Sequence, residues 1–209
     1  MIVLSHRGYW KNPDERNAIS AFERSFDLGF GTETDLRDMG GKIVISHDMP
    51  KGNEILFEKV LQIMNGRNLP LALNIKADGL VEAILELLSK YNHTNYFTFD
   101  MSIPDMVVQI KSGAKVFTGL SDILPTPALL DKATGIWLDC FNSDWYEAKI
   151  IDDLIAADKS VCIVSADLHK RPTEKQWETI KNCKNLNSDN LLICTDYPEY
   201  AKEFFYGKN

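Results

Sequence analysis

The chain has 209 residues and a formal charge of −7, from 23 basic and 30 acidic side chains. A surface of that sign repels polyanions and argues against nucleic acid as a partner, while a small phosphate ester stays admissible where local cations reverse the field. Hydrophobic residues make up 44% and charged residues 25%, a balance that excludes a disordered chain.

This length suits one domain with a substantial core, spanning 1–209, and no Gly/Ser-rich, Pro-rich or single-sign stretch suggests a linker. The N-terminal MIVLSHRG turns polar after an apolar run of four, too short for a signal peptide or a membrane span. Cys140, Cys162, Cys183 and Cys194 show no C-x-x-C spacing, and three of them fall in predicted strands. Buried free thiols in a reducing compartment are therefore expected, with the cytoplasm as the default location. Oligomeric state leaves no trace in the sequence.

In chain order, the first strand is IVLSH (2–6). A helix follows over NAISAFERSFDLG (17–29), with Asn17 placed to cap its start and Gly29 to end it. TETDLR (32–37) and KIVIS (42–46) read as neighbouring strand pieces of one unit, and LPLALNIK (69–76) as the next strand. GLVEAILELLSKY (79–91) has apolar residues at helical spacing on one face. NYFTFD (95–100) is a strand, SIPDMVVQIKSG (102–113) a helix with Pro104 in its first turn, and KVFTGLS (115–121) a strand again. GIWLDC (135–140), the helix DWYEAKIIDDLIAA (144–157), SVCIVSA (160–166), the helix TEKQWETIKNC (173–183) and NLLICTD (190–196) continue the alternation. Phe204, Phe205 and Tyr206 predict a last helix docked on apolar surface.

Nine strand candidates and about seven helices, with little polar alternation inside the strands, indicate parallel strands covered by helices on both faces. Counting the two adjacent pieces as one unit leaves eight β/α repeats, an α/β fold of the compact (β/α)8 TIM barrel kind; a doubly wound open sheet is the rival. The polar residues favour the barrel. His6-Arg7, Asp35, His47-Asp48, Lys76, Asp100, Ser121-Asp122, Asp139, Ser165 and Asp196 stand where strands end, and a barrel gathers those ends on one face. About half of them, Ser121, Asp122 and Ser165 included, are expected only to cap the next helix.

Glu33 and Asp35 lie two apart in a strand, so their carboxylates share a face. Two adjacent carboxylates repel, and one takes up a proton unless a cation lies between them. A hard divalent ion, Mg2+ or Ca2+, relieves that repulsion and prefers oxygen ligands. His6 and His47 each follow a strand and precede a turn, and imidazole both accepts and donates protons near neutral pH. Phosphodiester cleavage needs both steps, one at the attacking hydroxyl and one at the leaving alkoxide. His93 and His169, in loops, read as structural. Arg7 can present a planar fork to phosphate oxygens. Lys76 ends an apolar strand, where its ammonium needs an anionic partner, and Asn74 shares its face. Gly8 lets the backbone turn sharply after Arg7.

Taken together, SHRGYW, NAISAFERSFDLGFGTETDLRDMGGKIVISHD and LALNIK resemble the glycerophosphodiester phosphodiesterase family. The motifs that carry the resemblance are His6-Arg7-Gly8, Asn17 through Phe22, Glu33 with Asp35, His47-Asp48, and Asn74-Ile75-Lys76; YFTFD and CTDYPE extend it more weakly to about residue 199. The resemblance implies a (β/α)8 barrel of the PLC-like phosphodiesterase type and a divalent cation, Mg2+ or Ca2+. It implies His6 and His47 as the acid–base pair, Glu33, Asp35 and Asn74 at metal-ligand positions, and Arg7 and Lys76 on the phosphate. Its substrate would be a small or lipid-derived phosphodiester, cleaved to an alcohol and a phosphomonoester.

Three departures stand out. Asn74 is neutral where the family carries a third carboxylate. The turn that usually reads Pro-Glu-Asn-Thr is Glu15-Arg16-Asn17-Ala18, so its acid falls on Arg16. Only 21 residues separate Asp48 from Pro70, where the family inserts a longer segment, which predicts a more open pocket. A non-catalytic barrel binding a phosphorylated ligand is the competing reading, and two proton carriers argue against it. Phosphosugar isomerisation is disfavoured because SADLHKRP and CTDYPE have no glycine for a phosphate loop.

Overall fold

A computed structural model describes residues 1–207. Its strands are β1 (Ile2–His6), β2 (Gly31–Met39), β3 (Lys42–Ile45), β4 (Leu71–Ile75), β5 (Tyr96–Phe99), β6 (Phe117–Leu120), β7 (Gly135–Leu138), β8 (Ser160–Val164) and β9 (Leu191–Thr195). Its helices are α1 (Ile19–Asp27), α2 (Phe57–Met64), α3 (Val81–Lys90), α4 (Ile103–Lys111), α5 (Ala148–Ala156), α6 (Glu174–Lys181) and α7 (Pro198–Tyr206). Every predicted strand forms. Helix α2 goes beyond the segments singled out above, and it buries Phe57, Val60, Leu61 and Met64 at helical spacing. Leaving β3 aside, eight strands alternate with helices along the chain, except that an irregular loop joins β6 to β7. That is the element order of a (β/α)8 barrel. Among the described residues no helix is long and apolar enough to cross a membrane.

The chain divides into two compact units. In the unit Ser5–Val116, β2, β4 and β5 run parallel, with Asp35 opposite Asn74. β3 folds back antiparallel on β2. The two-residue connection, Gly40 and Gly41, has φ of 56° and 78°, the left-handed backbone that a tight hairpin of this kind requires. Phe22, Phe26, Phe57 and Leu61 are among the side chains buried in this unit.

The other unit joins Met1–Leu4 to the chain from Phe117 onward. Here β6, β7, β8 and β9 pair in parallel in sequence order. All residues of β7 and β9 are buried, as expected for strands covered on both faces. Gly135 is required by packing, since a Cβ there would lie 2.5 Å from the Phe117 ring and 2.6 Å from the Ser160 carbonyl. The four cysteines are buried thiols outside any disulfide.

Some expected caps do not form. Asn17 is not the cap of α1; Ala18 holds that position, and Asn17 turns back with φ 60° toward other partners. No helix follows β6, so Ser121 Oγ instead accepts from the backbone of Ile123 and Leu124 in a turn. The Asp122 carboxylate accepts from the backbone of Phe141 and Asn142. Ser165 Oγ takes the indole N–H of Trp177 at 2.8 Å, satisfying a buried donor.

The C-terminal aromatic residues dock α7 as expected. Trp177 on α6 is 1% exposed, and Tyr200, Phe204 and Phe205 pack on it with ring centroids 5.3 to 5.5 Å away. Trp177→Ala should therefore lower unfolding free energy by about 3–5 kcal/mol, read by urea titration. A loss under about 1 kcal/mol would contradict this role for the ring.

Candidate active site

Strand β2 is the scaffold. Its carbonyls accept from three segments that follow other strands: Glu33 O from Arg7 N at 2.9 Å, Asp35 O from Ser46 N at 3.0 Å, and Leu36 O from Lys76 N at 3.0 Å. These bonds bring the ends of β1, β3 and β4 to the stretch of β2 that carries Glu33 and Asp35. The acidic side chains do not face solvent, being 2% and 0% exposed. Gly8 makes the close approach after β1 possible. Its φ is 76°, and a Cβ there would lie 2.8 Å from Ala21 Cβ.

Asp35 gathers the cations. Arg7 Nε lies 3.0 Å from its Oδ2 and Lys76 Nζ 3.6 Å from its Oδ1. Asn17, freed from capping, donates from Nδ2 to Asp35 Oδ2 at 3.1 Å and accepts from Thr34 Oγ1 at 2.8 Å. Arg7 itself has φ 59°, a left-handed conformation that costs a non-glycine residue about 1–3 kcal/mol. It is held there at both ends of its peptide unit, with its N–H on Glu33 O and its carbonyl accepting from Asn17 N at 2.8 Å.

Glu33 lacks such support. His6 Nε2 stands 3.8 Å from Glu33 Oε2, too far for a hydrogen bond. Burial, followed by the neighbouring Asp35 charge, pushes the Glu33 carboxyl from 4.5 to about 7. The repulsion anticipated for this acidic pair is therefore present, with Glu33 as the group that holds on to its proton.

Three buried side-chain oxygens here accept no hydrogen bond: Glu33 Oε2, Asp35 Oδ1 and Asn74 Oδ1. Asn74 directs its Nδ2 to Asp100 Oδ2 at 3.2 Å, which leaves the amide oxygen as the unsatisfied atom. A buried acceptor without a hydrogen bond costs about 1–3 kcal/mol, and a hard divalent cation would suit oxygens of this kind. The donor set fits Mg2+ or Ca2+. Among the described residues no three His, Cys, Asp or Glu side chains gather where they could hold an ion.

His47 is half exposed and its Nδ1 lies 2.9 Å from Asp48 Oδ1. It shares a cavity of about 320 Å³ with Arg7, Arg16 and Asn17. Glu15 does not stand in for the displaced acid of the turn. Its Oε2 accepts instead from Lys11 N at 2.8 Å and Arg24 Nη1 at 3.0 Å.

The remaining histidines differ. His93 is buried, bonds to the Asn95 carbonyl at 3.1 Å, and burial lowers its pKa, as suits a structural residue. His169 is more engaged than its loop position suggested: Nε2 lies 2.6 Å from the buried Asp139 Oδ1, and Phe141 packs on the ring at 4.8 Å. Asp139 and His169 are 30 residues apart, so nothing local in the sequence announced the pair. The same holds for Arg16 on the cavity wall, which stood out only as a departure from a motif.

Similar folds occur among known structures. A phosphodiesterase from Oleispira antarctica, in complex with the product sn-glycerol-3-phosphate, matches with a TM-score of 0.68 at 15% identity, over 98% of this chain and 96% of that one. A glycerophosphodiester phosphodiesterase from Agrobacterium tumefaciens matches with a TM-score of 0.68 at 15% identity, over 98% and 97%. A glycerophosphoryl diester phosphodiesterase from Parabacteroides distasonis gives 0.65 at 15%, over 97% and 85%. No protein-family model and no curated protein matches the chain. The likeness shows the fold, a (β/α)8 barrel.

The Glu33 environment has a signed consequence for stability. Between pH 4.5 and about 7 the folded chain retains a proton on Glu33 that the unfolded chain has released, so stability falls as pH rises through that window. Asp139 and Asp167, raised by burial, act in the same direction. Glu33→Gln should remove its share of the fall in urea titrations run with a chelator. An identical pH slope in the variant would contradict the assignment.

Proposed function

We propose that this chain is a metal-assisted phosphodiesterase that cleaves a glycerophosphodiester or a similar small or lipid-derived phosphodiester to an alcohol and a phosphomonoester. The observation that carries the reading is the set of three unsatisfied buried oxygens on Glu33, Asp35 and Asn74, with Arg7 and Lys76 on the same carboxylate. Hydrolase relatives of the same fold, one holding sn-glycerol-3-phosphate, support it.

Arg7 and Lys76 would contact the phosphoryl oxygens, the first as a planar fork and the second as a point charge. Arg7 suits that role because its Nε is anchored on Asp35 and its backbone is pinned at both ends. Glu33, Asp35 and Asn74 would hold Mg2+ or Ca2+, which when bound supplies positive charge to polarise the phosphoryl group.

His6 and His47 move the protons. One neutral imidazole takes a proton from the attacking hydroxyl as its oxygen bonds to phosphorus. The other, as imidazolium, delivers a proton to the alkoxide as the P–O bond to the leaving alcohol breaks. The Asp48 carboxylate lies beside His47 Nδ1 and orients that ring. Each proton transfer contributes about 10²–10⁴-fold in rate.

The test is hydrolysis of bis(p-nitrophenyl) phosphate and of glycerophosphodiesters, with and without Mg2+, Mn2+ or Ca2+. Turnover should depend on the metal, and His6→Ala and His47→Ala should each lower kcat by about 10²–10⁴-fold. Undiminished activity in either variant would remove that residue from the mechanism. Thermal stabilisation by phosphoesters without any turnover would contradict catalysis and favour a binding protein.

A further inference from the structure

Asp100 directly follows β5, and its backbone is left-handed, with φ 64°. Aspartate visits this conformation more readily than most residues other than glycine, yet still at a cost. Capping the next helix does not account for it. Ser102 holds that position at α4, and its hydroxyl accepts from Asp105 N at 3.2 Å. The Asp100 carboxylate instead accepts from the Asn74 amide, Nδ2 to Oδ2, at 3.2 Å. On β4, Asn74 stands in register between Asp35 on β2 and Phe99 on β5, the residue before Asp100.

That bond decides what Asn74 offers on its other side. The two ends of a primary amide have nearly the same shape and opposite chemistry, since the nitrogen donates and the oxygen accepts. Turned one way, the side chain presents an oxygen to a cation. Turned the other way, it presents N–H groups that repel one. An ionised carboxylate accepts and cannot donate, so Asp100 selects the orientation with the nitrogen toward itself. The Asn74 oxygen is left on the opposite branch, buried and without a hydrogen bond, in a residue 8% exposed. A carboxylate at 74 would repel that of Asp100, whereas an amide fits between an anion and a cation.

We propose that Asp100 is a positioning residue of the cation site, fixing Asn74 Oδ1 as a ligand for a divalent ion through the Asn74 amide. The inference rests on the metal-assisted reading and goes beyond it, since it makes the neutral residue at 74 a working ligand with an anion behind it. Asp100 touches neither the ion nor the substrate. Partners of this kind set the orientation of a ligand, and losing one commonly weakens metal binding by about 10–100-fold.

The experiment titrates Mn2+ into the chain and reads the free ion by its electron paramagnetic resonance signal, which measures affinity without turnover. Asp100→Gly removes the carboxylate where a left-handed backbone suits glycine, and should weaken binding by about 10–100-fold. Asp100→Asn keeps an acceptor for the Asn74 nitrogen and tolerates the same backbone, so its affinity should stay within about fivefold of native. Thermal unfolding in chelator should stay cooperative in both variants. Three results would overturn the positioning role and leave the cation reading standing: affinity within about twofold of native in Asp100→Gly, an equal loss in both variants, or loss of cooperative unfolding. No Mn2+ binding by the native chain would overturn the cation reading and this inference with it.

Discussion

A carboxylate with no exposure to water, Asp35, holds the site together. A buried charge is costly unless paired and hydrogen-bonded, and Asp35 is offset by Arg7, Lys76 and the Asn17 amide. Each partner comes from a different part of the chain, and each is also tied to β2 or to Arg7 through the backbone. The electrostatic requirement of one side chain therefore fixes the positions of the segments after β1 and β4 and of the turn before α1. Removing any one partner leaves Asp35 under-compensated.

The neighbouring carboxylate shows the opposite condition. Glu33 is nearly as buried, and burial with the Asp35 charge outweighs the pull of His6, Arg7 and Lys76, so its carboxyl is shifted upward. With Asp35 and Asn74 it leaves oxygens unsatisfied in the interior, and Arg7 adds a left-handed backbone. In the same unit Ser5, Ser25 and Thr32 satisfy one another, whereas the buried Trp10 Nε1 and Arg37 Nε do not find a hydrogen bond. A fold that accepts such costs has stability to gain from a ligand that relieves them.

Much of this was legible in the sequence, for identifiable reasons. Strands announce themselves as short apolar runs, and β7, β8 and β9 were found because buried parallel strands need little polar alternation. Glu33 and Asp35 were conspicuous because acids are rare inside a strand, and the anionic partner required by Lys76 turned out to be Asp35. What stayed hidden depends on distant contacts. Asn17 sits where a helix cap belongs, yet bonds to Asp35, 18 residues away, take its side chain instead. Ser121 and Ser165 were misjudged likewise, since a turn and a buried tryptophan claim their hydroxyls. Arg16 and the Asp139–His169 pair acquire meaning only when the chain is folded.

We propose that Glu33, Asp35 and Asn74 form an oxygen cradle for a divalent cation. Anomalous diffraction from crystals grown with Mn2+ tests it most directly. A peak is expected within about 2.0–2.6 Å of Glu33 Oε2, Asp35 Oδ1 and Asn74 Oδ1, the range of hard-cation oxygen bonds. No peak among those oxygens, with Mn2+ in excess, would contradict it.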